Sequence, residues 1–367
     1  MVEIYPTQAV QNHSIFGDIS SLGHEQVVFC QDEPTGLKAI IAIHNTVLGP
    51  ALGGTRMWQY TSDQEAITDV LRLSRGMTFK AAISGLNIGG GKAVIIGDAR
   101  KMKSEAFLRR FGRFIESLGG RYITAEDVNM NTRDMEYISM ETDHVTGLHE
   151  SKGGGGDPSP VTAYGTYLGM KAAAKKVYGT DSLVGKKIAV QGVGQVGGHL
   201  VERLVKENAR VFITDISEER LAQIHKTSGA IVVGQDEIYD IDMDIYAPCA
   251  LGATINDNTI GRLRCQVIAG AANNQLLDEH KHGQMLIDKG IIYAPDFLIN
   301  AGGLINVYAE YLGGYKREVA YQQAENIYHT CMDILDKSAA ENIPSQQAAI
   351  KLAEKRIADM GKVKMSY

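Results

Sequence analysis

Cysteine is scarce in this sequence, with 4 among 367 residues and none in a CxxC pair. That scarcity argues against a disulfide-stapled extracellular scaffold and against a zinc site built on cysteine pairs. No stretch reaches the roughly 20 apolar residues that a membrane helix needs. The first residues also lack the basic segment and apolar run of a secretory signal. We therefore expect a cytoplasmic protein.

Positive charge is in short supply as well. Lys and Arg number 37 against 43 Asp and Glu, which gives a net charge of −6. A nucleic-acid binder would need a basic face to follow phosphates, so that class is excluded. The remaining composition, 44% hydrophobic and 22% charged, is that of a globular protein, and the length predicts two domains.

Glycine, in contrast, is abundant. It occupies 40 of 367 positions, and the usual share is only ~7%. The glycines cluster within residues 89–91, 153–156, 192–197 and 302–303. Such clusters indicate tight turns or backbone that approaches a ligand closely.

The chain before residue 145 alternates between short strands and amphipathic helices. A helix is predicted after Ser62, because Ser62 and Glu65 have the spacing of a capping box. A second is predicted after Ser104, because the apolar residues that follow recur on one helical stripe. Residues 121–125 predict a strand, and Asp127 follows its C-terminal end. Sites in α/β sheets lie at that end of the strands, so Asp127 is a candidate site residue.

Residues 153–160 combine four glycines with two prolines and predict a domain junction. Beyond it, apolar strands recur between helical segments, the pattern of βαβ units around a parallel sheet. These strands are predicted at 187–191, 210–214, 230–233, 244–247, 267–270 and 291–294. A helical tail from about 330 to 367 could pack back on the first domain.

A glycine-rich fingerprint follows the first of these strands, with the sequence Gly192-Val193-Gly194-Gln195-Val196-Gly197. It matches GxGxxG between a strand and a helix, which is typical of dinucleotide binding. Gly192 would permit the tight turn, Gly194 the approach of the pyrophosphate, and Gly197 the close packing of helix on strand. The alternative is an ordinary tight turn.

Asp215 ends the next predicted strand, about 20 residues after the fingerprint. A carboxylate there can accept hydrogen bonds from both ribose hydroxyls of the cofactor and would repel a 2′-phosphate. This favours NAD over NADP. An ordinary surface aspartate is the other interpretation.

Two lysines of the first half, Lys80 and Lys92, stand among apolar residues and glycines, an unusual setting for this residue type. One ammonium group can anchor a substrate carboxylate. A neighbouring amine, desolvated beside that charge, would lose its proton more readily and could act as a general base. The plainer interpretation is that Lys80 caps a helix end and that Lys92 is a loop charge.

Several long motifs occur in the same order as in one known family. They are residues 29–33, 48–58, 89–92, 124–127, 157–165, 270–276 and 300–307. On these motifs the chain resembles the Glu/Leu/Phe/Val dehydrogenase family over nearly its whole length, most closely its leucine-specific members. The resemblance implies an α/β fold of two domains separated by a cleft. Residues 1–150 would bind substrate and form oligomer contacts, and residues 151–330 would form a Rossmann domain that binds NAD.

The resemblance also implies a reaction, the reversible oxidative deamination of an L-amino acid to a 2-oxo acid and ammonia. Lys80 would hold the substrate carboxylate, Lys92 would be the base that activates water, and Asp127 would exchange protons with the substrate nitrogen. The nicotinamide ribose or the substrate would be contacted by Asn274 and Asn273, and the nicotinamide end by Thr162. By resemblance we expect a homo-oligomer, an octamer, with no nucleic-acid or membrane partner.

The positions that match the family's side-chain pocket are all apolar: Leu52, Ala125, Leu304 and Val307. Glutamate-specific relatives carry a lysine at the position of Leu52, and a glutamate side chain buried here would stay unpaired. Leucine, isoleucine and valine are therefore the expected substrates. Leu304 stands where many leucine-specific members have valine, which keeps a valine or phenylalanine preference open.

Two other classes remain as alternatives. A catalytically silent NAD-binding regulator would not need both lysines and Asp127. A hydroxy-acid dehydrogenase would need a histidine paired with a carboxylate, and none is convincingly placed. His280 and His282 are interpreted as a solvated pair, not a metal site. Cys249 is interpreted as a structural cysteine, not a nucleophile.

Overall fold

The computed structural model describes residues 14–364. These residues form two compact units, one of residues 14–78 and 88–146 and the other of residues 79–87 and 147–364. Within the described part of the chain, no helix is long and apolar enough to cross a membrane.

The first unit is a mixed β-sheet with helices. Its elements are α1 (Ile15–Leu22), β1 (Gln26–Asp32), β2 (Leu37–Asn45), β3 (Ala51–Leu52), β4 (Thr55–Trp58), α2 (Asp63–Ile83), β5 (Gly89–Ile96), α3 (Ala99–Met102), α4 (Glu105–Glu116), β6 (Tyr122–Ile123) and α5 (Thr132–Ile138). The last residues of α2, from Phe79 on, group with the second unit.

Strand β5 lies at the centre of this sheet. The order is β1-β2-β5-β3-β6, and β4 also pairs with β5. β1 and β2 run antiparallel to their neighbours, whereas β3, β4 and β6 add to the sheet in parallel. The carboxyl ends of β3 and β6 therefore point the same way, and the residues after them meet at one edge.

Helices begin after Ser62 and Ser104, as predicted, and each serine caps its helix. The Ser62 hydroxyl accepts a hydrogen bond from the Glu65 amide at 3.2 Å as α2 begins. The Ser104 hydroxyl does the same for the Phe107 amide, also at 3.2 Å, at the start of α4. Each bond satisfies an amide that has no partner within the helix, which explains why the helices begin there.

The second unit is a parallel sheet with helices. Its elements are a 3₁₀ turn (Glu150–Lys152), α6 (Ser159–Tyr178), β7 (Lys187–Gln191), α7 (Gln195–Lys206), β8 (Arg210–Thr214), α8 (Glu218–Ser228), β9 (Ile231–Val232), a 3₁₀ turn (Glu237–Tyr239), β10 (Ile245–Pro248), β11 (Val267–Ile268), α9 (Glu279–Asp288), β12 (Ile292–Tyr293), α10 (Asp296–Ile299), α11 (Gly302–Tyr311), α12 (Arg317–Glu341) and α13 (Ser345–Lys364).

The strand order of this sheet is β12-β11-β10-β7-β8-β9, and all five pairings are parallel. Numbered from β7, that is the 3-2-1-4-5-6 order of a Rossmann fold, read from the β9 edge. The order reverses between β7 and β10, and such folds bind ligands at this switch point. The predicted α/β class with a C-terminal Rossmann domain is confirmed.

The glycine-rich segment that precedes α6 is held by one carboxylate. Glu310 accepts the amides of Gly147, Leu148 and Gly155 at 2.9–3.2 Å. In the last helix of the unit, α13, Arg356 donates to carbonyls that follow α2, among them that of Leu86 at 2.8 Å. The C-terminal helix is thereby fixed to the short segment 79–87.

Candidate active site

Lys92 and Asp127 form an ion pair in the first unit. Lys92 lies in β5 and is only 5% exposed, and its Nζ is 3.1 Å from Asp127 Oδ1. Leu52 of β3 pairs in register with Gly90 of β5 and with Ile123 of β6, so it lies beside the same strand ends. Ala125 follows β6 and is buried as well. Four residues predicted separately from the sequence are thus brought to one edge of this sheet.

The glycines around this edge are required by packing. A Cβ on Gly90 would lie 2.1 Å from the Thr78 backbone nitrogen on α2. A Cβ on Gly54 would lie 2.3 Å from the Glu126 carbonyl oxygen and 2.9 Å from Asp127 Cβ. Gly89–Gly91 therefore form a buried strand under a helix, not the turn that the cluster could have indicated. The close approach brings Lys92 and Asp127 within reach of one another.

Arg56 of β4 is a member of this site that sequence analysis did not single out. Its Nε donates to Asp127 Oδ2 at 3.0 Å, so each carboxylate oxygen has its own cation. Burial alone would raise the pKa of the Asp127 carboxyl, but the charges and hydrogen bonds of Lys92 and Arg56 outweigh it and hold that pKa below its usual value. An arginine inside a buried strand was the available signal, since charged residues are rarely buried without a partner.

Lys80 lies in the last turn of α2 and is partly buried. It belongs to the segment 79–87, which groups with the second unit. Its predicted role as the anchor of a substrate carboxylate stays a prediction.

The glycine fingerprint connects β7 to α7. Gly192 has a φ of 97°, which favours glycine, and a Cβ on Gly197 would lie 2.0 Å from the Gly192 carbonyl oxygen. Helix α7 begins after Gly194, which has no side chain to cap the first amides of the helix. These features fit a dinucleotide, because a compact loop without side chains leaves amides for a pyrophosphate. Val193, Gln195 and Val196 complete the loop and the first turn of α7.

Asp215 lies at the carboxyl end of β8, next to this loop. Its Oδ2 accepts the Val193 amide at 2.7 Å and its Oδ1 accepts the Ser217 amide at 2.9 Å. The structure thus brings Asp215 to the fingerprint, as the spacing predicted. The same carboxylate fixes the loop conformation, a second task that the sequence did not reveal.

Asn273 and Asn274 follow β11 in the second unit. Asn273 Oδ1 accepts a hydrogen bond from Asn300 at 2.8 Å, and Asn274 has a positive φ of 51°. The neighbouring Gln275 is completely buried and donates to the carbonyls of Gly270 and Ala272. Gln275 therefore shapes the loop that carries both asparagines.

Thr162 lies in the first turns of α6, beside the start of α11. A Cβ on Gly302 would lie 2.7 Å from Thr162 Cα, so only glycine allows the two helices to approach this closely. Leu304 and Val307 are one turn apart on α11, on the same face. Leu304 is buried and Val307 partly buried.

Known proteins match this chain in both of its units. Residues 24–144 match the profile of the Glu/Leu/Phe/Val dehydrogenase dimerisation domain, and residues 212–364 match that of the Glutamate/Leucine/Phenylalanine/Valine dehydrogenase domain. A leucine dehydrogenase of Bacillus cereus is 56% identical over 96% of both chains. The chain belongs to the Glu/Leu/Phe/Val dehydrogenase family.

Other relatives of this dehydrogenase carry different names. A valine dehydrogenase of Streptomyces virginiae is 48% identical over 92% of this chain and 94% of its own. The crystal structure of L-tryptophan dehydrogenase from Nostoc punctiforme superposes with a TM-score of 0.86 at 45% identity, over 95% of this chain and 99% of that one. The protein is an amino-acid dehydrogenase of an NAD(P)-dependent family.

Two other groups in the dehydrogenase have structural roles. Burial raises the pKa of the Cys249 thiol to about 12, so it carries no thiolate near neutral pH. His282 is 1% exposed and its Nδ1 accepts the Asp278 amide at 2.9 Å. The interpretation of His280 and His282 as a solvated pair is therefore wrong for His282. Among the described residues, no group of His, Cys, Asp and Glu could hold a metal ion.

Proposed function

We propose that this dehydrogenase catalyses the reversible, NAD-dependent oxidative deamination of branched-chain L-amino acids: leucine, and also valine and isoleucine. The products are the 2-oxo acids and ammonia. The observation that carries the proposal is the ion pair between the buried Lys92 and the partly buried Asp127. Three relatives 54–56% identical to this chain are named leucine dehydrogenases, which agrees with it.

In the proposed mechanism, Lys80 anchors the substrate carboxylate. Asp127, which Lys92 and Arg56 keep ionised, takes up a proton from the substrate ammonium group held against it. Bound NAD supplies the hydride acceptor for the substrate Cα. Lys92 takes a proton from the water that adds to the iminium carbon and releases it to solvent. Asp127 then returns its proton to the amino nitrogen, and Lys92 accepts the hydroxyl proton as the C–N bond breaks, which leaves the 2-oxo acid and ammonia.

The second unit is proposed to bind NAD. The amides after Gly194 would hold the pyrophosphate, and Asp215 would accept hydrogen bonds from the adenosine ribose. A 2′-phosphate on that ribose would meet the negative charge of Asp215, which favours NAD over NADP. Asn273 and Thr162 are assigned to the nicotinamide end, and Asn274 to the substrate.

The apolar character of four positions supports the substrate class: Leu52, Ala125, Leu304 and Val307. A branched aliphatic side chain gains about 0.8 kcal/mol for each CH₂ that it buries. A glutamate carboxylate packed against any of these side chains would lose its hydration without gaining a partner. A valine-preferring enzyme is the second candidate, because Leu304 is larger than valine and a relative 48% identical is named a valine dehydrogenase.

The decisive experiment measures NADH formation with a panel of L-amino acids at mildly alkaline pH. Leucine, isoleucine and valine should be turned over, and glutamate should not. A kcat/KM for glutamate equal to that for leucine would disprove the pocket assignment. If valine exceeds leucine, the second candidate is correct.

A pair of lysine variants tests the catalytic assignment. Lys92→Ala should lower kcat at least ~1000-fold and leave the Kd for NAD nearly unchanged. Lys38→Ala is the matched control, because Lys38 is an exposed lysine in β2 of the same sheet. Equal activity of the two variants would remove Lys92 from the mechanism.

A further inference from the structure

Arg56 occupies a position between two carboxylates. Its Nε donates to Asp127 Oδ2 at 3.0 Å, and its Nη1 lies 3.1 Å from Asp69 Oδ2 on α2. The Tyr60 hydroxyl donates to that same Asp69 oxygen at 2.6 Å. The side chains thus form a continuous row from Tyr60 through Asp69 and Arg56 to Asp127, and Lys92 closes it on the far side.

The backbone fixes the start of this row. Strand β4 runs beside the segment after β6, where the Thr55 amide donates to the Ala125 carbonyl at 2.9 Å and the Met57 amide to the Val128 carbonyl at 3.1 Å. Arg56 is held between these two bonds, opposite Asp127. Because Asp69 and Tyr60 hold the outer end of the guanidinium, Arg56 has little freedom to leave the carboxylate.

The chemistry of Lys92 and Asp127 explains why a second cation is needed beside the carboxylate. If Lys92 acts as a base, it is neutral during part of each turnover, and Asp127 then loses one of its two charge partners. A carboxylate in a buried setting without a cation tends to take up a proton. Arginine stays protonated at any pH at which the enzyme works, and its planar group can bind two carboxylates at once.

We propose that Arg56 is a positioning residue for the deamination, holding Asp127 charged and in a fixed orientation while Lys92 gains and loses its proton. This inference rests on the proposed function. Asp69 and Tyr60 are assigned the task of orienting Arg56. The charged and titratable groups around Asp127 are Lys92 on β5, Arg56 on β4, Asp69 on α2, Tyr60 after β4 and Tyr122 on β6.

The test compares three variants by their pH profiles of kcat/KM for leucine. Arg56→Gln removes a cation, which raises the pKa of neighbouring groups, so the acid limb should move up by at least about half a pH unit and kcat should fall at least ~10-fold. Arg56→Lys keeps the charge but cannot span both carboxylates. Its acid limb should therefore coincide with that of the unsubstituted enzyme, and its kcat should recover only in part. Asp69→Asn should lower kcat about 3-fold without an upward shift of the limb, because it affects orientation alone.

Arg109→Gln is the matched control, since Arg109 on α4 pairs with Glu141 and Glu105 and should leave the profile unchanged. The proposal is overturned if the acid limb of Arg56→Gln coincides with that of the parent, or if Arg56→Lys is displaced equally far. If Arg56→Gln does not fold, as judged by Trp58 emission and NAD binding, the contrast between Arg56→Lys and Asp69→Asn decides. Failure of the parent to oxidise leucine would instead refute the proposed function, whatever the variants do.

Discussion

The two units use different means to place a carboxylate at the end of a strand. In the first unit, Asp127 is held by the side chains of Lys92 and Arg56, and both bonds are ion pairs. In the second, Asp215 is held by two backbone amides, those of Val193 and Ser217. Lys92 can gain and lose a proton, whereas backbone amides do not. The first arrangement suits chemistry on a substrate, and the second suits binding of the adenosine ribose of a cofactor, a part that does not react.

The interior of the first unit also holds titratable groups whose pKa depends on their surroundings. The first unit buries two histidines, His24 and His44, with ring centroids 4.7 Å apart. Burial is the main cause that lowers the pKa of both, in His24 to about 4. We therefore expect changes in the first unit to alter rate and pH response, and changes at the Rossmann loop to alter cofactor affinity.

Removing the charge of Asp127 should produce the largest effect. Asp127→Asn keeps the shape of the side chain but cannot accept a proton, so kcat should fall at least ~1000-fold. The Kd for NAD, measured by fluorescence titration, should stay within about 2-fold of the parent because the loop of the second unit is untouched. Glu105→Ala, an exposed carboxylate on α4, is the control. A large loss of NAD affinity in Asp127→Asn would contradict the separation of tasks.

Packing under β5 should give the next largest effect. Gly90→Ala forces a methyl group to within 2.1 Å of the Thr78 nitrogen, and overpacking of this kind costs about 3 kcal/mol of unfolding free energy. Gly76→Ala is the matched control, because Gly76 lies in α2 with open space around its Cβ position. That variant should gain about 0.5–1 kcal/mol from helix propensity. Urea unfolding followed by Trp58 emission measures the unfolding free energy of both variants. Equal values for Gly90→Ala and Gly76→Ala would refute the packing argument.

Acid should weaken the first unit through His24. Its pKa in the folded protein is about 4, against 6.5 for an exposed histidine, so the unfolded chain binds more protons between these values. Stability from this group is complete above pH 6.5 and is lost as the pH falls toward 4, by about 2 kcal/mol at pH 5. Trp58, the single tryptophan, lies in β4 and reports on this unit.

The same titration in His24→Gln should show a shallower loss between pH 7 and 5. His329→Gln, an exposed position on α12, should follow the parent. If all three chains lose stability in parallel, His24 does not control the acid response.

The Rossmann carboxylate should give the smallest of these effects. Asp215→Ala removes the acceptor of two amides and the proposed ribose contact. The KM for NAD should therefore rise about 10-fold, and the ratio of kcat/KM with NAD to that with NADP should fall. The kcat at saturating NAD should change less than about 3-fold. Asp242→Ala, an exposed carboxylate that pairs with Lys187 at the start of β7, is the control. An unchanged preference would remove Asp215 from cofactor selection.

The elements that sequence analysis predicted best are those with a local cause. Ser62 and Ser104 cap their own helices, and the apolar runs at 187–191 and 210–214 match β7 and β8 residue for residue. The unit formed by β7, the glycine loop and α7 also follows from a local pattern, because the fingerprint needs a strand before it and a helix after it.

Features that depend on distant partners could not be read in this way. Arg56 meets Asp127 across 71 residues of chain, and Gly90 is needed because of Thr78 on another element. His282 is buried by a fold that its HxH spacing does not reveal. The strand β3 has only two residues, which is too short for any periodic signal.

The bond between Arg356 and the Leu86 carbonyl joins positions 270 residues apart. Translation proceeds at about 5–20 residues per second, so Arg356 is synthesised on the order of tens of seconds after the carbonyls that follow α2. Until α13 leaves the ribosome, the segment 79–87, with Lys80 on it, has no C-terminal helix to bind. The second unit is therefore completed only after α13 has been synthesised, and a chain that stops before Arg356 would present an unfinished surface to chaperones and proteases.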